Sequence, residues 1–222
     1  PLWSRGLGDV YKRQRLYFSY FPEIILMLYI SIEKMTEFDI YAYGVPIVLL
    51  LIAAEVIYST VNGLGLYKFR DTLAGLGLLI GNFMIGLLTK SSIFFLYIYL
   101  YQFKFITVNE LLPTWAVWIV TFVMIDFVYY WYHRFSHRVR FMWAVHMNHH
   151  SSEEMNFTVS LRQAWFGPIT KVPFFIVMPL IGFDPIITAV AGVASTLWGV
   201  IGHTQWIRRL GVLEYYLVTP SS

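Results

Sequence analysis

Five of the six histidines in this chain fall in two tight groups, His133-Arg-Phe-Ser-His137 and His146-Met-Asn-His149-His150. Imidazole is the commonest protein ligand for a redox or Lewis-acid metal. On a helix, spacings of three and four residues put side chains on one face. His133 and His137 can therefore point together, and His146, His149 and His150 can form a second prong. A lone histidine on an apolar face is usually a satisfied core residue. Two groups nine residues apart, in a chain with almost no histidine elsewhere, point instead to metal binding. Five neutral donors are too many for one metal that keeps an open position. The pattern predicts two metals, or one site still awaiting ligands.

Three further positions bear on this chemistry. His203 stands alone in Gly202-His-Thr204, at the exit of an apolar span, and is a candidate ligand on the same side. Asp126, Tyr130, His133 and His137 follow one another at four, three and four residues, which places them on one helix face. An acid inside an apolar span is costly unless it is paired or functional. A metal-bound histidine usually donates its other N–H to a carboxylate or carbonyl. Asp126 is thus a candidate for orienting a ligand, against the plainer reading of a bond to a neighbouring helix. Glu153 and Glu154 follow the second group and could ligate metal, bind a cofactor or begin a helix. Asp126 and Glu154 are the candidate catalytic carboxylates. Glu55 sits in another apolar span with no metal motif beside it, where a structural hydrogen bond is at least as good a reading. Asn156-Phe-Thr158 has the form of a glycosylation sequon, but its place beside the histidines argues against that use.

The elements that must carry these residues are apolar. The chain is 58% hydrophobic and only 13% charged, with a mean hydropathy of +0.60, whereas soluble domains carry about 25% charged residues. An all-α, polytopic membrane bundle follows. Aromatic residues make up 19% of the chain, which suits both membrane interfaces and a pocket for an alkyl chain. The absence of cysteine excludes disulfides, thiolate zinc sites, iron–sulfur clusters and cysteine nucleophiles. The net charge of +3 is modest, and its basic residues form no nucleic-acid motif. They read as membrane-proximal arginines.

A spanning helix needs about 20 mostly apolar residues. The candidates are Tyr41 to Tyr58, Thr72 to Leu88, Ser92 to Ile106 and Trp115 to Tyr132. A turn near Lys90 is expected to fold the second and third into a hairpin. Gly77-x-x-x-Gly81 offers a small-residue helix contact. A later apolar pair, Trp165 to Ile181 and Pro185 to Ile201, is divided at Gly182-Phe-Asp-Pro185, and its first member should kink at its prolines. Arg134, Arg138, Arg140 and Arg162 around the histidines predict a cytoplasmic face for the metal site. The same counting places the Lys68–Arg70 loop on the opposite side, where its charge fits badly. Residues 1–14 (PLWSRGLGDVYKRQ) look like a translated adaptor or cloning scar and are set aside. Residues 15–35 are an apolar lead-in, and 36–222 form the membrane domain.

HRFSH followed by HMNHHSSEEMNFTVSLRQ resembles the fatty acid hydroxylase and sterol desaturase superfamily. The WYHRFSH, HHSSEE, LRQ, GHTQWI and LVTPSS wording is most similar to its alkylglycerol monooxygenase-like branch. The resemblance implies an integral membrane di-iron enzyme, with His133, His137, His146, His149 and His150 as iron ligands and His203 as an additional histidine. In the family a Thr-Pro-Ser segment leads into a third histidine box. Here the chain stops at Thr219-Pro-Ser-Ser222, so that box is expected beyond its end, and the 36–222 domain is expected to be incomplete.

Histidine-ligated iron with open positions can activate O2 and attack an unactivated C–H bond. The resemblance implies hydroxylation or desaturation of an alkyl, sterol or acyl chain of a membrane lipid. The branch implies hydroxylation beside an ether oxygen, whose hemiacetal collapses to an aldehyde and a glycerol. No segment looks like a flavin or nicotinamide motif, so electrons must come from an external reductant. A reduced pterin is implied by the monooxygenase branch, an electron-transfer protein by the desaturase branch. The alternative is a non-catalytic metal-binding membrane protein, or an inactive fragment lacking the third box.

Overall fold

The computed structural model describes residues 40–205. Expectations for residues 1–39 and for the LVTPSS segment lie outside the described residues. From Tyr43 onward, the described residues belong to one compact unit. Among the described residues there are helices and no strand. They are α1 (Ile40–Val61), α2 (Phe69–Tyr101), α3 (Val108–Leu111), α4 (Thr114–Arg138), α5 (Arg140–His146), a 3₁₀ turn (Phe157–Leu161), α6 (Gly167–Phe175), α7 (Val177–Ile181) and α8 (Pro185–Ile201).

Three of these are long and apolar enough to cross a membrane: Ala42–Val61, Phe69–Tyr101 and Thr114–Arg138. Many of their large side chains face outward. Leu88 is 78% exposed, and Ile47, Phe83, Val123 and Phe127 are also exposed. In water such faces would be aggregation sites, whereas in lipid they are the solvent-facing surface. Helices cannot associate there by the hydrophobic effect, because lipid tails are as apolar as leucine. Close packing and hydrogen bonds must hold them instead. Val108, Ile125, Val128, Met178, Phe183 and Ala191 make the buried core between α3, α4, α7 and α8.

The expected hairpin at Lys90 does not form: α2 is a single helix of 33 residues. The polar stretch Thr89 to Ser92 satisfies itself without a turn. The hydroxyls of Thr89, Ser91 and Ser92 bond back to the carbonyls of Ile85, Leu87 and Leu88 at 3.0, 2.6 and 2.9 Å. No glycine or proline lies between Gly86 and Tyr101 to stop the helix. The lost turn changes the topology. With one crossing fewer, the Lys68–Arg70 loop lies at the histidine end, where Lys68 meets Glu153 at 2.7 Å. The charge that seemed misplaced by counting is on the same side as the arginines.

The returning pair follows expectation. The first member breaks at Ile176 into α6 and α7, with Pro173 inside α6. Its partner α8 spans Pro185–Ile201, and Asp184 caps it by accepting from Ile186 N–H and Ile187 N–H at 2.8 and 3.1 Å. At the end remote from the histidines, the segment after α2 docks on this pair. Phe105 N–H donates to the Leu180 carbonyl at 2.9 Å, and Ile106 N–H to Ile181 at 3.2 Å. Gly182 permits this approach. Its φ is +124°, and a Cβ there would meet the Ile106 carbonyl oxygen at 1.9 Å. Gly182→Ala is therefore expected to cost about 1–3 kcal/mol, read as a lower thermal midpoint of the detergent-purified protein.

The Gly77/Gly81 pair makes no small-residue helix seam. A Cβ on Gly77 would meet open space, whereas the Trp165 indole lies 2.1 Å from where a Gly81 Cβ would be. The indole N–H donates to the Leu78 carbonyl at 3.2 Å. The glycine serves an aromatic side chain that closes the chain just before α6.

Candidate metal centre

α4 runs unbroken through both histidines of the first group, so His133 and His137 sit one turn apart. Their Nε2 atoms lie 3.0 Å from each other. Val139 separates α4 from α5, and α5 ends at the buried His146. A turn follows, with His149 N–H donating to the His146 carbonyl at 2.9 Å and His150 N–H to Met147 at 3.1 Å. This turn brings His150 back over His146, with Nε2 atoms 3.1 Å apart. The two pairs converge. His133, His137, His146 and His150 present four nitrogens that all lie within 4.8 Å of one another.

The expected second prong of three is thereby split. The i, i+4 residues His146 and His150 join the first group, while His149 points to the other side of the turn. It meets His203, with Nε2 atoms 2.8 Å apart. His203 follows directly on α8, whose capping Gly202 bonds back to the helix carbonyls. The sequence showed His203 as a candidate but not its partner, because the pair closes over 54 residues.

The chemistry of these donors fits a metal. Nitrogens bound at about 2.1 Å lie at most about 4.2 Å apart, so the four-histidine group needs only slight closure around an ion. The His149–His203 pair argues more strongly. His149 Nδ1 faces the Arg162 carbonyl at 3.2 Å, and His203 Nδ1 faces the Gly199 carbonyl at 2.7 Å. A carbonyl only accepts, so each Nδ1 carries the proton and each Nε2 is a bare lone pair. Two lone pairs aimed at each other across 2.8 Å repel unless a cation lies between or beside them.

Protonation does not supply that cation readily. Burial, then the neighbouring imidazoles, push His146 down to about 3. Burial and His203 push His149 down to about 4. His150 and His203 are also lowered, in each case first by burial. At neutral pH these rings are uncharged donors.

The candidate carboxylates lie elsewhere. Asp126 is on α4 and exposed, and Tyr130 is exposed with its hydroxyl accepting from Arg134 at 2.8 Å. The tyrosine ring that packs on His133 from this helix is Tyr129, at 5.7 Å between centroids. Backbone carbonyls, not Asp126, take the Nδ1 protons of His149 and His203. Glu154 lies 3.6 Å from Lys68 Nζ, beside the closer Glu153, and neither acid joins the four-histidine group. No helix starts at these acids. The next turn starts at Phe157, capped by Asn156, whose Oδ1 accepts from Thr158 N–H at 3.0 Å. The same side chain is buried and donates to the Leu66 carbonyl at 2.8 Å, which leaves no accessible amide for a sugar.

Arg162 is the residue that spacing alone did not single out for the site. It is 3% exposed. Its guanidinium donates to Ser151 Oγ at 2.7 Å, to the Asp71 backbone carbonyl at 2.6 Å and to Asp71 Oδ1 at 2.5 Å. Asp71 also accepts from Ser152 Oγ at 2.6 Å. The start of α2 is thus bonded to both ends of the histidine loop. The sequence signal was present as an acid at the head of an apolar span and an arginine before the next one. On the open side, Trp143 lies 5.4 Å from the His137 ring and 5.8 Å from His150, covering the two exposed rings of the group.

Comparison with known proteins gives a likeness for the part of the chain that carries these histidines. Residues 118–222 match the family model described as fatty acid hydroxylase. An alkylglycerol monooxygenase of Xenopus tropicalis is 41% identical over 107 residues, covering 48% of this chain and 24% of the relative. The Homo sapiens alkylglycerol monooxygenase is 40% identical over 104 residues, covering 47% and 23%. That of Danio rerio is 36% identical over 107 residues, covering 48% and 24%. The matched region is thus about a quarter of the length of these relatives. No solved structure matches. From residue 118 onward, this chain is similar to the fatty acid hydroxylase family and, within it, to the alkylglycerol monooxygenases.

Proposed function

We propose that this chain forms the histidine centre of an O2-dependent di-iron membrane oxygenase that oxidises a lipid alkyl chain, with ether-lipid cleavage as the favoured reaction. The observation that carries the proposal is the division of the histidines into a group of four and a facing pair. Two separate donor sets, one of them with its lone pairs already facing each other, fit two ions better than one. Iron is the metal that fits a redox role with imidazole ligands, and when bound it would supply O2 activation and C–H oxidation.

The chain's own residues do the rest. His133, His137, His146 and His150 hold one position, and His149 with His203 hold the other. Arg162 and Gly199 fix the tautomer of the second pair through their carbonyls. Trp143 keeps water from the exposed edge of the four-histidine group and offers an apolar wall to an alkyl chain. Arg138 and Arg140 are exposed between the two histidine groups. They suit an anionic lipid headgroup or an acidic reduced partner on the cytoplasmic side. Electrons come from outside the chain, with a reduced pterin as the favoured source and an electron-transfer protein as the other.

The test is O2 uptake by iron-loaded protein in detergent, against a panel of alkylglycerol, sterol and fatty-acyl lipids, with and without a reduced pterin. Uptake that requires both an alkylglycerol and the pterin is the expected result. Bound iron with no lipid-dependent uptake under any of these conditions would leave a metal-binding membrane protein rather than an oxygenase.

A further inference from the structure

Among the described residues Glu55 is the only buried acid, at 0% exposure, in the middle of an apolar helix. A buried carboxylate is tolerated only when its acceptor sites are filled. Here three donors from three separate segments fill them. Oε2 accepts from the Tyr67 hydroxyl at 2.6 Å and from Phe157 N–H at 2.8 Å. Oε1 accepts from the Thr204 hydroxyl. Burial and the adjacent carboxylate push the Tyr67 phenol upward, so it stays a donor.

Two of these donors lie on the arms that carry the facing histidines. Phe157 opens the 3₁₀ turn that ends beside Arg162, whose carbonyl holds His149 Nδ1. Thr204 directly follows His203. One carboxylate therefore ties the segment that orients His149 to the segment that presents His203, over 102 and 149 residues of chain. No member of the four-histidine group hangs on Glu55 in this way, since those rings are placed by α4, α5 and the turn after α5.

We infer that Glu55 is a positioning residue for the His149–His203 metal position, setting the distance between its two ligands while touching neither. The inference rests on the metal reading of that pair.

The test is an anaerobic Co(II) titration of the purified full chain, followed by visible absorption, comparing wild type with Glu55→Gln, Thr204→Val and Thr204→Ser. Wild type should show two classes of site. Glu55→Gln keeps the shape but loses acceptor capacity, and should weaken one class about 10- to 100-fold, the range seen when supports of metal ligands are removed. The other class should keep its affinity and spectrum, which a merely structural role would not ensure. Thr204→Val should weaken the same class and Thr204→Ser should preserve it. Unchanged affinity of both classes in Glu55→Gln and Thr204→Val would overturn the inference. So would parallel weakening of both classes. A wild type with a single class would overturn the metal reading of the pair itself, and the inference with it.

Discussion

Alanine at His146 is expected to empty the four-histidine position and reduce lipid-dependent O2 uptake to background. His146 is buried and central. Its ring lies 4.8 Å from those of His133 and His150, and 5.0 Å from that of His137. Removing it deletes a ligand and opens a void among the remaining three, whose rings it spaces. Loss of a residue that only supports a ligand already costs about 10- to 100-fold in metal affinity, and loss of this ligand should exceed that. Metal analysis after dialysis, paired with O2 uptake, reads both effects. Full metal retention in His146→Ala would contradict the assignment.

The second large effect is expected at Asp71. Alanine there leaves Arg162 buried without its anion, and breaking such a pair costs about 3–5 kcal/mol. Serine and backbone contacts to the guanidinium remain, so the loss should fall toward the lower end. The consequence is not confined to stability. Arg162 carries the carbonyl that holds His149, so the histidine loop should loosen together with the head of α2. Thermal unfolding in detergent and protease cleavage within residues 147–156 measure the two outcomes. A double change, Asp71→Ala with Arg162→Met, should recover much of the stability, because a buried pair replaced by apolar groups is often near neutral. It should not restore the salt-bridged loop.

Much of the site was legible in the sequence because it depends on local spacing. The i, i+4 relation within HRFSH and between His146 and His150 survives directly as two close nitrogen pairs. Fold class followed from apolar runs, since a membrane leaves helices as one of few ways to satisfy a backbone. The long-range pairings were not legible. His149 turns away from its neighbours because the chain leaves helical geometry after His146, and its partner comes from beyond α8. Asp126 has the right periodicity on α4, but the carbonyls of Arg162 and Gly199 orient His149 and His203. Periodicity reports a face and not what packs on it. The turn at Lys90 failed for a different reason. Polar residues in an apolar run read as a loop, yet threonine and serine can bond to their own helix carbonyls and let it continue.

The central claim is that the six histidines create two metal positions, one of four ligands and one built on His149 and His203. Mössbauer spectra of anaerobically Fe(II)-loaded protein test it most directly when wild type is set beside His149→Ala. Two iron environments in the wild type, with one of them missing and the other unchanged in His149→Ala, are predicted. A single environment in the wild type, or the loss of both in the variant, would contradict the division of the site.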